Sequence, residues 1–272
     1  MIQRGPEMQA GAPQRRLAGN LTETFWGRAA LRLVALVLFV GAWQLAGDDS
    51  IDLLFPTATR TLDAFVELVR DGRLPLGLLI TGQALAVGFA IIVSIGVPTG
   101  VLVARFPLAD RVVTPYFTFL VAIPIIALVP VVQALLGLTF AARVTVIVLF
   151  GISYVVINSA IAVRRVRTDL TEMARSFGAG RLAMMTEVVL PAALPGIMTG
   201  VRLALGQALI GMVVAELTIV GAGVGSLIAE LQGRFKVAGV LAVAMTIVLV
   251  GLCLLSLVEM MERRVNRWSV QK

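Results

Sequence analysis

The chain has 272 residues, of which 58% are hydrophobic and 14% charged, and its mean hydropathy is +0.95. A soluble domain carries about 25% charged and about 45–50% apolar residues, and a disordered chain far fewer apolar ones, so both classes are excluded. The net charge of +7 fits the arginine-rich inner loops of a polytopic membrane protein, not a nucleic-acid surface, because no basic stretch interleaves with exposed aromatics.

A helix rises about 1.5 Å per residue, so crossing a ~30 Å hydrocarbon core takes about 20 apolar residues. Residues 1–28 form a Gly/Pro/Gln/Arg-rich tail without an apolar period, expected to be disordered and cytoplasmic. The first span is Ala29–Ala46. No A-x-A site follows it and the tail is long for a signal peptide, so it reads as a retained anchor. An acidic loop, Gly47 to Gly77, follows, with Asp48, Asp49, Asp52, Asp63, Glu67 and Asp71. Within it Pro56 and Thr57 precede a helical pattern with Leu62, Phe65, Val66 and Val69 on one stripe. That helix is too short to span; it either lies at the membrane surface or covers the mouth of a pathway.

Five more spans are predicted, at Leu78–Ala104, Pro115–Leu136, Ala142–Val163, Leu194–Val220 and Val237–Met260. The domain reading is therefore a tail (1–28), a six-helix transmembrane region (29–260) and a C-terminal cytoplasmic tail (261–272). With the N-terminus inside, sixteen Arg and Lys fall on the inner side. Six fall outside: Arg60, Arg70, Arg73, Arg143, Arg234 and Lys236. The positive-inside rule then places both termini in the cytoplasm.

The inside loop 164–191 is patterned beyond what a connector needs. Asp169 and Glu172 stand as N-cap and N3 of a capping-box-like start. Leu170, Met173, Ala174 and Phe177 mark one helical face, and Gly178 or Gly180 supplies the stop. A second short helix is expected through Leu182, Met185 and Val189, ending at Pro191. Such a hairpin suits a docking surface.

The chain holds no histidine, one cysteine (Cys253) and two lysines (Lys236 and Lys272). Zinc sites, Ser-His or Cys-His catalysis and disulfide frameworks are thereby excluded. No Gly-Lys-Ser/Thr exists to cradle phosphates, so any use of ATP requires a partner ATPase.

Glu172-Met173-Ala174, then Gly178, then Val188-Val189-Leu190-Pro191 resemble the EAA loop of ABC-importer permeases: E-A-A, three residues, Gly, nine residues, I-x-L-P. Met173 for Ala and Val188 for Ile are mild departures that keep an apolar face. The resemblance extends through Phe55-Pro56-Thr57, Ile123-Pro124, Leu128-Val129-Pro130, Gly200-Val201-Arg202-Leu203-Ala204-Leu205-Gly206, Val213-Val214-Ala215-Glu216 and Gly223-Val224-Gly225. It is strongest toward permeases for sulfonates, taurine, nitrate and thiamine-precursor pyrimidines.

The resemblance implies an all-α membrane protein of the type I importer kind, in a bacterial plasma membrane. It implies a homodimer of permeases, two ABC ATPase subunits that bind ATP and Mg²⁺, and an extracytoplasmic substrate-binding protein. The permease itself carries no cofactor and is not an enzyme. Carried over by position, Leu170, Glu172, Met173, Ala174, Phe177, Gly178, Leu190 and Pro191 form the element that couples to the ATPase. ATP closes the ATPase dimer, the coupling helices approach, and the spans switch from inward- to outward-facing. A small organic anion such as a sulfonate is the implied substrate, with a pyrimidine or other vitamin precursor as the alternative.

Ionisable groups inside a membrane are functional candidates by default. Arg202 and Glu216 lie in the fifth span, 14 residues apart, about 21 Å of rise and roughly 40° off one face, so they do not pair within the helix. For Arg202 the readings are snorkelling to the inner surface, a positive potential for an anion, or a closed gate through a partner carboxylate. Glu216, near the outer end, packs against the outer loop or serves the pathway. Of the neutral polar groups Gln83, Ser94, Gln133, Ser153, Asn158, Ser159, Thr199, Gln207 and Thr246, most are expected to bond a neighbouring helix. Gln133 and Gln207 are candidates for lining the passage. Pro98, Pro124 and Pro130 are expected to break or kink helices. Gly196, Gly200, Gly206 and Gly211 permit close contact within the subunit or across a dimer. A stand-alone secondary transporter would instead need inverted repeats and mid-membrane carboxylates, but spans one to four hold no Asp or Glu.

Overall fold

The computed structural model describes residues 25–47, 55–219, 221 and 223–266, and among them every regular element is helical. The helices are α1 (Phe25–Ala46), α2 (Ala58–Arg70), α3 (Arg73–Arg105), α4 (Pro107–Ala122), α5 (Val129–Leu136), α6 (Phe140–Arg164), α7 (Thr168–Ser176), α8 (Arg181–Thr218), α9 (Val224–Gly233) and α10 (Val237–Asn266). Most of the N-terminal tail, the acidic residues Asp48, Asp49 and Asp52, and residues 267–272 lie outside the described residues.

The chain divides into two units, residues 1–60 and 61–272. In the first, the chain returning after the loop is fastened to the end of α1. Trp43 Nε1 donates to the Pro56 carbonyl at 3.1 Å, and Gln44 Oε1 accepts the Thr59 N–H at 3.1 Å. Gly47 permits this approach, since a Cβ there would lie 2.7 Å from Thr57 Cα. The apolar stretch of α1, Ala30–Ala46, is shorter than a full span, and its side chains Leu33, Val37, Leu38 and Phe39 are exposed.

In the second unit, α3, α6, α8 and α10 are each long and apolar enough to cross a membrane. Among the described residues there are thus four such spans, or five when α4 and α5 count as one. The predicted span Pro115–Leu136 is broken at Pro124, as expected: α4 and the Ile125–Leu136 segment meet at a 99° bend. Pro124 is the cause, because it fixes Ile123 in extended backbone and cannot donate to the turn before it. The predicted break at Pro98 does not occur; α3 runs through it. The last helix continues past the expected end at Met260 to Asn266, so Glu262 belongs to a helix and not to a tail.

At the centre α6 packs along α3 on one side and α8 on the other. The α3 face is a four-residue stripe of Ala84, Gly88, Ile92, Gly96 and Gly100. A Cβ at Gly100 would fall 2.5 Å from the Val156 carbonyl oxygen, and one at Gly88 2.7 Å from Ile147 Cγ2. Conversely Ile92, fully buried, fills the space opposite Gly151 on α6. Small residues let the backbones close, which drives association where lipid removes the hydrophobic effect. On α8, Gly196, Gly200 and Gly211 close against Ala162, Asn158 and Phe150 of α6, so three of the four predicted glycines serve the subunit's own core. Gly206 faces open space.

Helix α2 splits its apolar residues between two sides. Thr61 and Leu68 are buried, with Phe65 packed beside Leu74, Val224, Leu227 and Val243, whereas Leu62, Val66 and Val69 are exposed. The helix carries apolar residues on two sides, and the neighbouring α9 and α10 select one of them.

Candidate functional site

The motif residues 172–178 form α7 and its stop. The helix starts one residue before the predicted cap: Arg167 is the N-cap and contributes no side-chain bond. Asp169 therefore sits in the first turn, where negative charge opposes the positive end of the helix dipole. Its Oδ1 accepts from Arg167 Nε at 3.1 Å and from the Leu170 N–H at 3.0 Å. Arg167 holds the Asp169 carboxyl below the usual carboxylate range, through its hydrogen bonds first and its charge second. Glu172 is exposed.

The stop is a Schellman motif. Gly178, at φ +79°, donates to Arg175 O at 2.9 Å, and Ala179 donates to Ala174 O at 3.0 Å. This explains the motif's spacing in physical terms. The second small residue, Ala174, presents the carbonyl that the residue after Gly178 must reach, and only glycine takes the left-handed position cheaply. Gly178→Ala is expected to cost about 1–2 kcal/mol locally. Amide exchange over residues 174–179 should accelerate while α6 stays protected, and Gly178→Asn should be milder.

Of the expected apolar knobs, Met173 and Phe177 are 55% and 86% exposed, and Leu182 joins them at 78%. Leu170 and Ala174 are half-buried. A short second helix ending at Pro191 is not formed. Residues 181–218 run as one 38-residue helix with a π turn at Met184–Val189. Leu190 N–H bonds Met185 O there. The wider turn accommodates Pro191, whose ring would clash with the i−4 carbonyl of a regular α-helix. Leu190 and Pro191 therefore lie within α8, just past its π turn, and do not end a hairpin.

At the opposite end of α8, Glu216 is 1% exposed and is a tie between four helices. Its carboxylate accepts from Thr81 Oγ1 of α3 at 2.7 and 2.9 Å and from the Gly225 N–H of α9 at 3.0 Å. Arg143 of α6 lies 4.0 Å away. The Val224 N–H in turn donates to Thr81 Oγ1 at 3.0 Å. Gly223 and Gly225 make room: Cβ atoms there would sit 2.3 Å from Glu216 Oε1 and 2.4 Å from Glu216 Cβ. Glu216 packs against α9; Thr81 and Arg143 were not recognisable as its partners from spacing alone.

Arg202 is partnered within the chain. Its Nη1 lies 3.4 Å from Glu262 Oε2 on α10, and Glu262 Oε1 accepts from Thr199 Oγ1 at 2.9 Å. The pair ties α8 to α10, with the Arg202 side chain still 38% exposed. Glu262 escaped notice because it fell beyond the predicted span.

Gln133 braces helices, its Nε2 donating to the orphan Thr218 carbonyl at the end of α8 at 2.7 Å. Gln207 is half-buried without a hydrogen-bond partner among the described residues, and it lies beside the exposed Leu203 and Ile210 and the open Gly206. The expectation that most neutral polar groups bond a neighbouring helix fails. Ser94, Asn158 and Thr246 bond carbonyls three or four residues back in their own helices.

Residues 96–267 match the family model described as binding-protein-dependent transport system inner membrane component. The chain is 29% identical to the putative aliphatic sulfonates transport permease protein of Bacillus subtilis, over 87% of this chain and 86% of that one. It is also 29% identical to the riboflavin transport system permease protein of Chloroflexus aurantiacus, over 87% and 89%. Among solved structures, an amino acid ABC transporter with histidines shares the fold at TM-score 0.58, with 20% identity over 74% of this chain and 98% of that one. The matched segment takes in the α7 motif, the Arg202–Glu262 pair and Glu216 itself, and the chain belongs to the binding-protein-dependent ABC transporter permeases.

Proposed function

We propose that the chain is the passage-forming subunit of an ATP-driven importer in a bacterial plasma membrane, with six spans and both termini cytoplasmic. α7 is its coupling helix. One observation carries this reading: a nine-residue helix closed by a Schellman stop presents Met173 and Phe177 outward, with no apolar partner covering them among the described residues. Large exposed apolar side chains on a loop that follows a membrane span mark an interaction surface. A cytoplasmic ABC ATPase, which binds ATP and Mg²⁺, is the partner that fits. Glu172 offers it a polar contact beside the knobs.

A second copy of the chain completes the passage, and the exposed stripe Leu203, Gly206, Gln207 and Ile210 on α8 is the surface that faces it. An extracytoplasmic binding protein delivers the substrate at the end that carries α9. ATP acts through the differential affinity of the ATPase for two arrangements of the spans. The substrate is a small organic anion such as a sulfonate. A vitamin or vitamin precursor is the second reading, favoured by the riboflavin relative. Arg202 is neutralised by Glu262, so the anion preference does not rest on it.

Uptake into proteoliposomes tests this. Accumulation is expected only with ATPase and ATP on one side and the loaded binding protein on the other. Uptake driven by an ion gradient, without the ATPase, would overturn the proposal in favour of a secondary transporter. Mass spectrometry of the ligand retained by the binding protein decides between the substrate classes.

A further inference from the structure

A cavity of about 240 Å³ lies beneath α7, between that helix and the ends of α3 and α6. Its lining includes three exposed arginines, Arg105 from the end of α3, Arg175 from α7 and Arg181 from the start of α8, together with Thr171. Its remaining wall is apolar, including Val163 and Val189. No carboxylate lines it. Arg105, Arg175 and Arg181 make no ion pair or side-chain hydrogen bond among the described residues, whereas Arg164 pairs with Asp110, Arg167 with Asp169 and Arg263 with Glu259.

Three positive charges around one cavity repel less when an anion sits among them, and the guanidinium fork matches phosphate oxygens two at a time. The helix geometry keeps this site apart from the docking face. Thr171 and Arg175 are four residues apart and share one side of α7, while Met173 and Phe177, each two residues further on, stand about 200° away. One side of α7 is thus free for a protein partner while the other faces the cavity.

We infer that this cavity binds a phosphate group, held by Arg105, Arg175 and Arg181, and that its ordinary source is the headgroup of an anionic phospholipid. The position argues for lipid. The cavity opens where two apolar spans reach the loop, and basic pockets between spans at the cytoplasmic surface recognise such headgroups. Acyl chains would lie along the apolar ends of α3 and α6. A lipid there props α7 from behind and sets the pose in which Met173 and Phe177 are offered. The inference rests on the proposed membrane placement of this end of the chain, but its test needs neither ATPase nor transport.

The test is native mass spectrometry of the full chain in detergent, with dioleoylphosphatidylglycerol or dioleoylphosphatidylcholine added. The wild type should retain phosphatidylglycerol and not phosphatidylcholine. The triple variant Arg105→Gln/Arg175→Gln/Arg181→Gln should lose that adduct at least tenfold, and Arg264→Gln, an exposed arginine outside the cavity, should keep it. Should the triple variant fold poorly, a melting titration of the wild type serves: phosphatidylglycerol should raise the melting temperature saturably and phosphatidylcholine should not. Inorganic phosphate is titrated in parallel. If it reproduces the shift and displaces the lipid, the site stands and its ligand is a soluble phosphate. Equal retention by wild type and triple variant, or an equal shift with phosphatidylcholine, overturns the inference. Loss of ATPase coupling with the adduct intact would count against the proposed function alone.

Discussion

Glu216→Leu is expected to destabilise the chain by about 3–5 kcal/mol, the range seen when one partner of a buried charged network is deleted. Leucine nearly fills the volume but leaves the Thr81 hydroxyl and the Gly225 N–H without their acceptor, in a site closed to water. Each buried polar group left unsatisfied costs about 1–3 kcal/mol, and the Arg143 guanidinium loses its carboxylate as well. Glu216→Gln keeps one accepting oxygen and should cost less. Gly225→Ala should approach the leucine variant, because the new Cβ would meet Glu216 backbone carbon at 2.6 Å, and backbone cannot step aside cheaply. Thermal unfolding of the purified chain in detergent checks all three, with the order glutamine, alanine, leucine in increasing loss. A Glu216→Leu protein as stable as wild type would show that the four-helix tie is not what holds α9.

Phe177→Ala should behave in the opposite way, leaving stability untouched and removing partner binding. The side chain is 86% exposed, so its truncation removes almost no packing within the chain. Burying a phenylalanine against a partner is worth about 1.5–3 kcal/mol, and central apolar anchors commonly exceed ~2 kcal/mol in alanine scans. Affinity for the ATPase is therefore expected to fall by about ten- to a hundredfold, and further with Met173→Ala added. Titration of the ATPase against the chain in nanodiscs reads this directly. Unchanged affinity together with an unchanged melting temperature would remove these residues from the docking surface.

How much of this was legible beforehand differs by feature, and the reason is physical each time. The helices α3, α6, α8 and α10 could be read as apolar runs because lipid forces every backbone group to bond within its own segment. The α7 motif was legible because its glycine, its small residue and its flanking knobs answer to one local geometry, the Schellman stop at Gly178. The break at Pro124 was legible from the proline itself, but its 99° angle was not, since Ile123-Pro124 interrupts the backbone without interrupting hydropathy. The π turn was hidden for a related reason: Pro191 looks like a helix end, and only the wider turn lets the chain continue. Glu216 and Arg202 were found as costly residues, but their partners Thr81, Arg143 and Glu262 stand on other helices, where spacing in the sequence carries no information. The glycine stripe Gly88, Gly96 and Gly100 had a readable four-residue period, though its partner α6 did not.

The claim on which the rest depends is that α7 is the contact through which an ATPase drives this chain. Photo-crosslinking tests it most directly. Benzoyl-phenylalanine is placed at Phe177, and in a second variant at Leu62, an exposed apolar position on α2. In cells expressing the chain with its ATPase, the docking proposed for α7 predicts a strong ATPase adduct from position 177 and none from position 62. An absent ATPase adduct at 177, or equal adducts from both positions, would contradict it.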